Sequence, residues 1–148
     1  MTNFIFMEKN QFNFLPIREA LTILELTRNI LDDSKEQLKN MKEIKDKPYL
    51  LDDVLINRSI KLYTKQNEDS DIFLEQCRRW RKEQLTEVQL YQVQEIENII
   101  HEFTNINNEI LTIINTCKDY TIDKILKKDD MELVFDFLTE KASLFKEK

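Results

Sequence analysis

"FLEQCRRWRKEQLTEVQLYQVQEIENIIHEF", residues 73–103, decides the fold. The question is whether it forms one helix or two. At 100° per residue, Phe73, Cys77, Trp80 and Gln84 fall within one narrow face. Val88 and Tyr91 continue that stripe without a phase slip. It then drifts into Ile99, Phe103, Ile106, Ile110, Ile113 and Cys117. This continuity predicts one long, curved helix from about Ser70 to Thr116. The alternative is a split near Thr86, because Thr86 with Gln89 has the spacing of a capping box and would start a new helix there.

Working outward, the composition supports helices throughout. The chain has 148 residues and no glycine. Glycine supplies the positive-φ positions of tight hairpins and bulges, so a many-stranded sheet is disfavoured. Glycine-rich phosphate loops and dinucleotide fingerprints are excluded, because their glycines are mechanical necessities. Hydrophobic residues make up 41 % of the chain, enough for one domain with a core.

N-terminal to the deciding stretch, the apolar residues Ile17, Leu21, Leu24, Leu31 and Leu38 recur at helical spacing, widened by Ile23 and Ile30. They predict a first helix from Ile17 to about Lys45, ended by Pro48. A second helix is expected from Leu51, with Leu51, Val54, Leu55 and Leu62 as its apolar face. "KQNEDSD", residues 65–71, is polar and rich in cap-forming residues, so a break is expected there. A last helix is expected over roughly Asp130 to Lys146, with Val134, Phe137, Leu138 and Phe145 inward. Residues 1–16 form an aromatic arm: Phe4, Phe6, Phe12 and Phe14 make two F-x-F units, which suit an extended segment or small hairpin. The arm either packs over the helical core or docks onto a second copy or a partner. The expected architecture is an all-α, antiparallel bundle of four to five helices in a single domain over 1–148. One long central helix and the N-terminal arm complete it.

The formal net charge of −6 is distributed unevenly. Residues 86–117 carry no Lys or Arg and five Glu, while the other segments are close to balanced. Glu95, Glu102 and Glu109 are seven apart and line one side of a helix. Either neighbouring helices supply the cations, or this is an acidic surface for a basic partner or a metal. The basic cluster of residues 78–82 separates on a helix. Arg79 sits one turn from both Glu75 and Glu83, leaving Arg78, Arg81 and Lys82 as a small flank. Three such charges would bind phosphates only weakly and salt-sensitively.

Catalytic patterns do not assemble. A di-iron carboxylate bundle needs Glu-x-x-His on two helices. The single histidine, His101, has Asn98 three residues before it. Mg²⁺-dependent all-α nucleotide pyrophosphatases use Glu-Glu-x-x-Glu with a later Glu-x-x-Asp. Neither "EIENIIHE" (95–102) nor "DDMELVFD" (129–136) spells that. HEPN-type RNases place an Arg four to six residues before a His, and nothing basic lies between Lys82 and His101. Cys77 and Cys117 fall on apolar stripes and read as core residues. No catalytic residue, cofactor or metal is therefore expected.

The function expected from these features is binding to other proteins. The chain would be a cytoplasmic structural or adaptor component, or an antagonist, immunity or antitoxin-like factor of a bacterium or phage. Its partner would be another protein or a second copy in a homodimer. Candidate protein-binding residues are Phe4, Phe6, Phe12, Phe14, Arg78, Arg81, Lys82, Glu95, Glu102 and Glu109. The alternatives are a Mg²⁺-dependent nucleotide phosphohydrolase-like enzyme and a weak nucleic-acid-binding accessory protein. "MTNFIFMEKN" lacks the marks of a secretory signal, and no apolar run reaches the roughly 20 residues that span a bilayer.

Overall fold

A computed structural model describes residues 13–127 and 130–146. The side chains of residues 130, 133 and 141–146, like Phe4, Phe6 and Phe12, lie outside that description. Helices are the only regular secondary structure among the described residues, with no strand. Four helices pack together: α1 (Ala20–Ile44), α2 (Asp53–Arg81), α3 (Glu87–Cys117) and the short α4 (Ile122–Leu126). α5 (Asp130–Lys146) follows, at the bounds expected for the last helix. Short 3₁₀ turns at Ile17–Glu19 and Pro48–Leu50 lead into α1 and α2.

The deciding stretch is two helices, so the expected single helix over 70–116 is corrected. α2 ends at Arg81 and α3 starts at Glu87. The physical reason is the capping box. The Thr86 hydroxyl accepts from the Gln89 backbone N–H at 3.1 Å, and the Gln89 side chain accepts from the Thr86 N–H at 3.0 Å. Two of the N–H groups that a helix start leaves without partners are thereby satisfied. The apolar phase carries across the turn because both helices face one interior. Val88 and Tyr91, expected inward, are 65 % and 56 % exposed. The inward face of α3 begins at Val93.

The expected break at 65–71 is also corrected, because α2 runs straight through it. Its polar residues are held by the bundle instead of by a loop. Ser70 donates back to the Gln66 carbonyl at 3.0 Å, Lys65 pairs with the buried Asp69 at 3.2 Å, and Asn67 donates to Asn108 on α3 at 2.9 Å. Gln66 accepts from the Asn107 amide at 3.1 Å, and Asn107 accepts from the Ser34 hydroxyl of α1 at 3.3 Å. Ser34, Gln66 and Asn107 thus form a polar layer contributed by three helices.

That layer separates two apolar clusters. One gathers Ala20, Ile23, Leu24 and Leu31 of α1, Phe73, Cys77 and Trp80 of α2, and Val93 to Phe103 of α3. The other gathers Leu51, Ile56, Tyr63, Ile110, Ile113, Ile114 and Cys117. Early α1 and early α3 share the first cluster with late α2. α1 and α3 therefore run the same way, and α2 runs against them. Among the described residues, both α1 and α2 pack extensively on α3 and much less on each other.

Without glycine, the helices end by tightening. Lys47 donates to the Ile44 carbonyl, Glu83 to that of Trp80 and Tyr120 to that of Cys117, at 2.7–3.0 Å. These i→i+3 bonds close the last turns without a left-handed cap residue, and no described residue has positive φ.

At the far end, α4 latches onto the start of α2. The Asp123 carboxylate accepts from the Asp53 backbone N–H at 2.7 Å, adding to the Asp52 cap on Leu55. Asp53 in turn accepts from the Thr121 hydroxyl at 2.6 Å and the Lys124 ammonium at 3.1 Å. The Thr121 hydrogen bond, then Lys124, hold the Asp53 carboxyl below its ordinary range. A depressed folded pKa contributes stability present above the unfolded value, lost as pH falls through the folded one. Acidification below about pH 3.8 is therefore expected to loosen residues 118–127 before the core. In Asp53→Asn these residues are expected to lose that pH dependence, read from the NMR shifts of their amides. A wild-type latch indifferent to acid would contradict this.

The face of α2 read from Val54, Leu55 and Leu62 is corrected as well: all three are exposed, and Leu51, Ile56 and Tyr63 point inward. Leu21 of α1 is exposed too. In α5, Val134, Phe137 and Leu138, expected inward, are exposed, while Phe145 lies outside the described side chains.

Candidate protein-binding surfaces

The N-terminal segment is tied down where it meets α2. Gln76, buried in the middle of an apolar cluster, accepts from the Leu15 backbone N–H at 2.6 Å and donates to the Leu15 carbonyl at 3.2 Å. The Trp80 indole N–H donates to the same carbonyl at 2.9 Å. Trp80 is 1 % exposed, so its ring fills the core while its nitrogen holds the entering chain. Phe14, half-buried, lies under the Arg79 guanidinium, 3.7 Å from the ring centroid. Phe14 is thus engaged within its own chain; Phe4, Phe6 and Phe12 lie outside the described residues.

The basic flank divides. Arg78 and Arg79 both pair with Glu75, and no ion pair to Glu83 accompanies them, which corrects the reading of Arg79 between two glutamates. Glu83 lies past the end of α2, where the chain turns away. Arg81 makes a bidentate pair with Glu97 of α3, at 2.8 and 2.5 Å. Such fork-on-carboxylate pairs are the stronger kind. Glu97 raises the Arg81 pKa further. The turn at 82–86 folds the cation-free helix back beside the arginine. Lys82 remains exposed at the turn.

One glutamate of the acidic edge meets a cation inside the chain. Lys35 pairs with Glu102 at 3.4 Å. Seven residues on, Lys42 and Glu109 line the same shallow groove. Seven residues back, the same register sets Arg28 level with Glu95. The matched seven-residue spacing puts Arg28, Lys35 and Lys42 in a basic row on α1, and of the three glutamates Glu102 is the one that forms an ion pair among the described residues. This row was legible in the sequence as Arg28, Lys35 and Lys42. It was overlooked because nothing in the pattern of either helix alone says which will be neighbours. The Lys35–Glu102 pair is half exposed on both sides, so it sets alignment more than stability.

His101 is exposed on α3. Cys77 is fully buried, and burial, with Glu97 adding to it, pushes its thiol up to about 12. Burial raises the Cys117 thiol as well. Neither is poised to act as a thiolate. Among the described residues, no three His, Cys, Asp or Glu side chains come together as a group able to hold a metal ion. None of the described helices is long and apolar enough to cross a membrane.

Two surfaces stand out that the sequence reading did not single out. The first is α5. Met131, Val134, Phe135 and Leu138 follow i, i+3, i+4, i+7 spacing and form one stripe, and all are exposed: Met131 by 81 % and Phe135 by 71 %. Among the described residues, α5 does not pack on α1, α2 or α3 as these pack on one another. The second is the open side between α1 and α2. It holds two connected hollows of about 480 and 390 Å³, sharing Gln37, Leu55, Ser59 and Tyr63.

No protein-family model, curated protein or solved structure matches the chain.

Proposed function

We propose that this protein acts by binding protein, with α5 as its principal interface. The observation that carries the reading is the exposed stripe of Met131, Val134, Phe135 and Leu138 on α5. A contiguous run of large apolar side chains in water is costly. At roughly 25 cal/mol per Å², covering it stabilises an assembly by several kcal/mol. In the three-helix scaffold, Arg78, Arg81 and Glu102 already have partners within the chain. On this reading the Arg78, Arg81, Lys82 flank and the Glu95, Glu102, Glu109 edge serve the bundle. The aromatic arm, with Phe4, Phe6 and Phe12, is proposed as a second partner-binding segment. A cytoplasmic adaptor or antagonist of this kind needs no catalytic group.

The test is a photoreactive side chain at position 135, compared with one at the exposed Asn98 of α3. Irradiation in the native cell extract is expected to give discrete protein adducts at 135 and none at 98. No adduct at 135 above the control would overturn the reading.

A further inference from the structure

We infer that the groove between α1 and α2 receives the α5 helix of a second copy, and that two chains exchange these helices reciprocally. The inference rests on the reading of α5 as an interface and adds the identity of its partner.

The arrangement of the bundle comes first. α1 and α2 both pack on α3 but not extensively on each other. In a four-helix bundle, diagonal helices stand in this relation, so three corners of the square are filled and the fourth is open. The groove occupies that position. Its walls carry Ile30, Met41 and Ile44 from α1, and Leu55, Leu62 and Tyr63 from α2. Leu55 and Leu62 are partly exposed there, although both sit in an apolar pattern. The lining runs from Ile30 to Ile44 along α1, about 21 Å at 1.5 Å per residue. α5, with 17 residues, is about 25 Å long, so helix and groove match in length.

Charge fixes how the helix would sit. α5 carries four acidic groups, Asp130, Glu132, Asp136 and Glu140, in its first eleven residues, and its two lysines, Lys141 and Lys146, come after them. On the α2 side of the groove, Arg58 lines the hollow and Lys61 stands one turn on, both exposed. Asp33 and Glu43 occupy the α1 side. The acidic edge of α5 is therefore expected to face α2.

Area distinguishes a second copy from a single contact. A helix about 10 Å across and 25 Å long has a lateral surface of roughly 800 Å². Seating half of it buries roughly 400 Å² on the helix and as much on the groove, about 800 Å² per contact. That is half of the roughly 1,600 Å² of a standard stable interface. Reciprocal exchange supplies two such contacts through one two-fold axis and reaches it.

The test uses the full chain with one added cysteine. Leu62→Cys protein is mixed with Phe135→Cys protein, oxidised, and the covalent species are counted by mass. The native Cys77 and Cys117 are buried and do not compete. The expected result is a mixed 62–135 dimer in at least tenfold excess over either like pair. In solution the wild type is expected to sediment as a dimer. Phe135→Glu and Leu62→Glu, each on an exposed surface, are both expected to weaken it at least 100-fold. Arg58→Glu with Lys61→Glu is expected to weaken it about 10-fold, less so at high salt. A dominant 135–135 product, or a dimer that survives Leu62→Glu, means that α5 pairs with α5 and overturns the inference. A Leu62→Cys, Phe135→Cys double variant that closes within one chain overturns it as well. So does a wild type that stays monomeric at every concentration. Each of these leaves the protein-binding reading to the position-135 adducts, which can identify a different partner.

Discussion

Trp80→Ala is expected to lower the free energy of unfolding by about 4 kcal/mol, in the range for aromatic truncation in a packed core. The side chain is almost fully buried between α1 and α3, beside Phe73 and Cys77. Its loss leaves a cavity in a cluster whose other members, among them Ile23, Leu24, Val93 and Ile96, are already packed. A second loss comes with it: the Leu15 carbonyl gives up its indole donor at 2.9 Å. Trp80→Phe separates the two effects. It keeps most of the volume and removes the N–H, so the net loss of one hydrogen bond, about 1 kcal/mol, should dominate. Urea denaturation followed by circular dichroism measures both. A Trp80→Ala loss below 1.5 kcal/mol would show that Trp80 is not the core residue its burial makes it.

Asn107→Asp should destabilise the protein by about 3 kcal/mol at neutral pH, although the substitution is nearly isosteric. Asn107 has no exposed surface and stands in the polar layer between the two apolar clusters. Its amide N–H donates to Gln66 and its oxygen accepts from Ser34. A carboxylate there keeps the Ser34 bond but presents an oxygen to the Gln66 oxygen. Burial of an unpaired charge costs several kcal/mol. Desolvation raises the folded pKa of this aspartate above its unfolded value near 3.9. The variant is thus closest to wild type below that value. It then loses about 1.4 kcal/mol per pH unit until the folded pKa is passed. The measurement is the difference from wild type at each pH, which removes the separate acid response of Asp53. A pH-independent difference would mean that water reaches the layer.

The same layer explains much of what the sequence concealed. Residues 65–71 read as a loop because Lys65, Gln66, Asn67, Asp69 and Ser70 have the chemistry of caps and turns. In the bundle these groups find partners on Asn107, Asn108 and within α2 itself, so the helix continues. Local chemistry states that such side chains need partners; it cannot state that a neighbouring helix supplies them. Glu97 was passed over for a related reason. Its partner, Arg81, is 16 residues away and comes within reach only because the chain reverses at 82–86.

The sequence by itself determined that the chain is helical, that α1 and α5 lie close to where they do, and that Trp80, Cys77 and Cys117 face inward. These follow from the absence of glycine and from a period of 3.6, both of which act within one turn of a helix. The signal for the turn at Thr86 was also present, as the Thr86–Gln89 spacing. An apolar stripe that ran through in phase outweighed it. The tertiary structure alone decided which helices are neighbours. That choice buried Asn107, paired Lys35 with Glu102 and Arg81 with Glu97, and left one side of the bundle open. It depends on pairings between residues far apart in the chain, where shape and charge must agree on two helices at once. An apolar stripe records that a face needs covering, and only packing determines what covers it. For α5 and the α1–α2 groove, the cover we propose is a second copy of the chain.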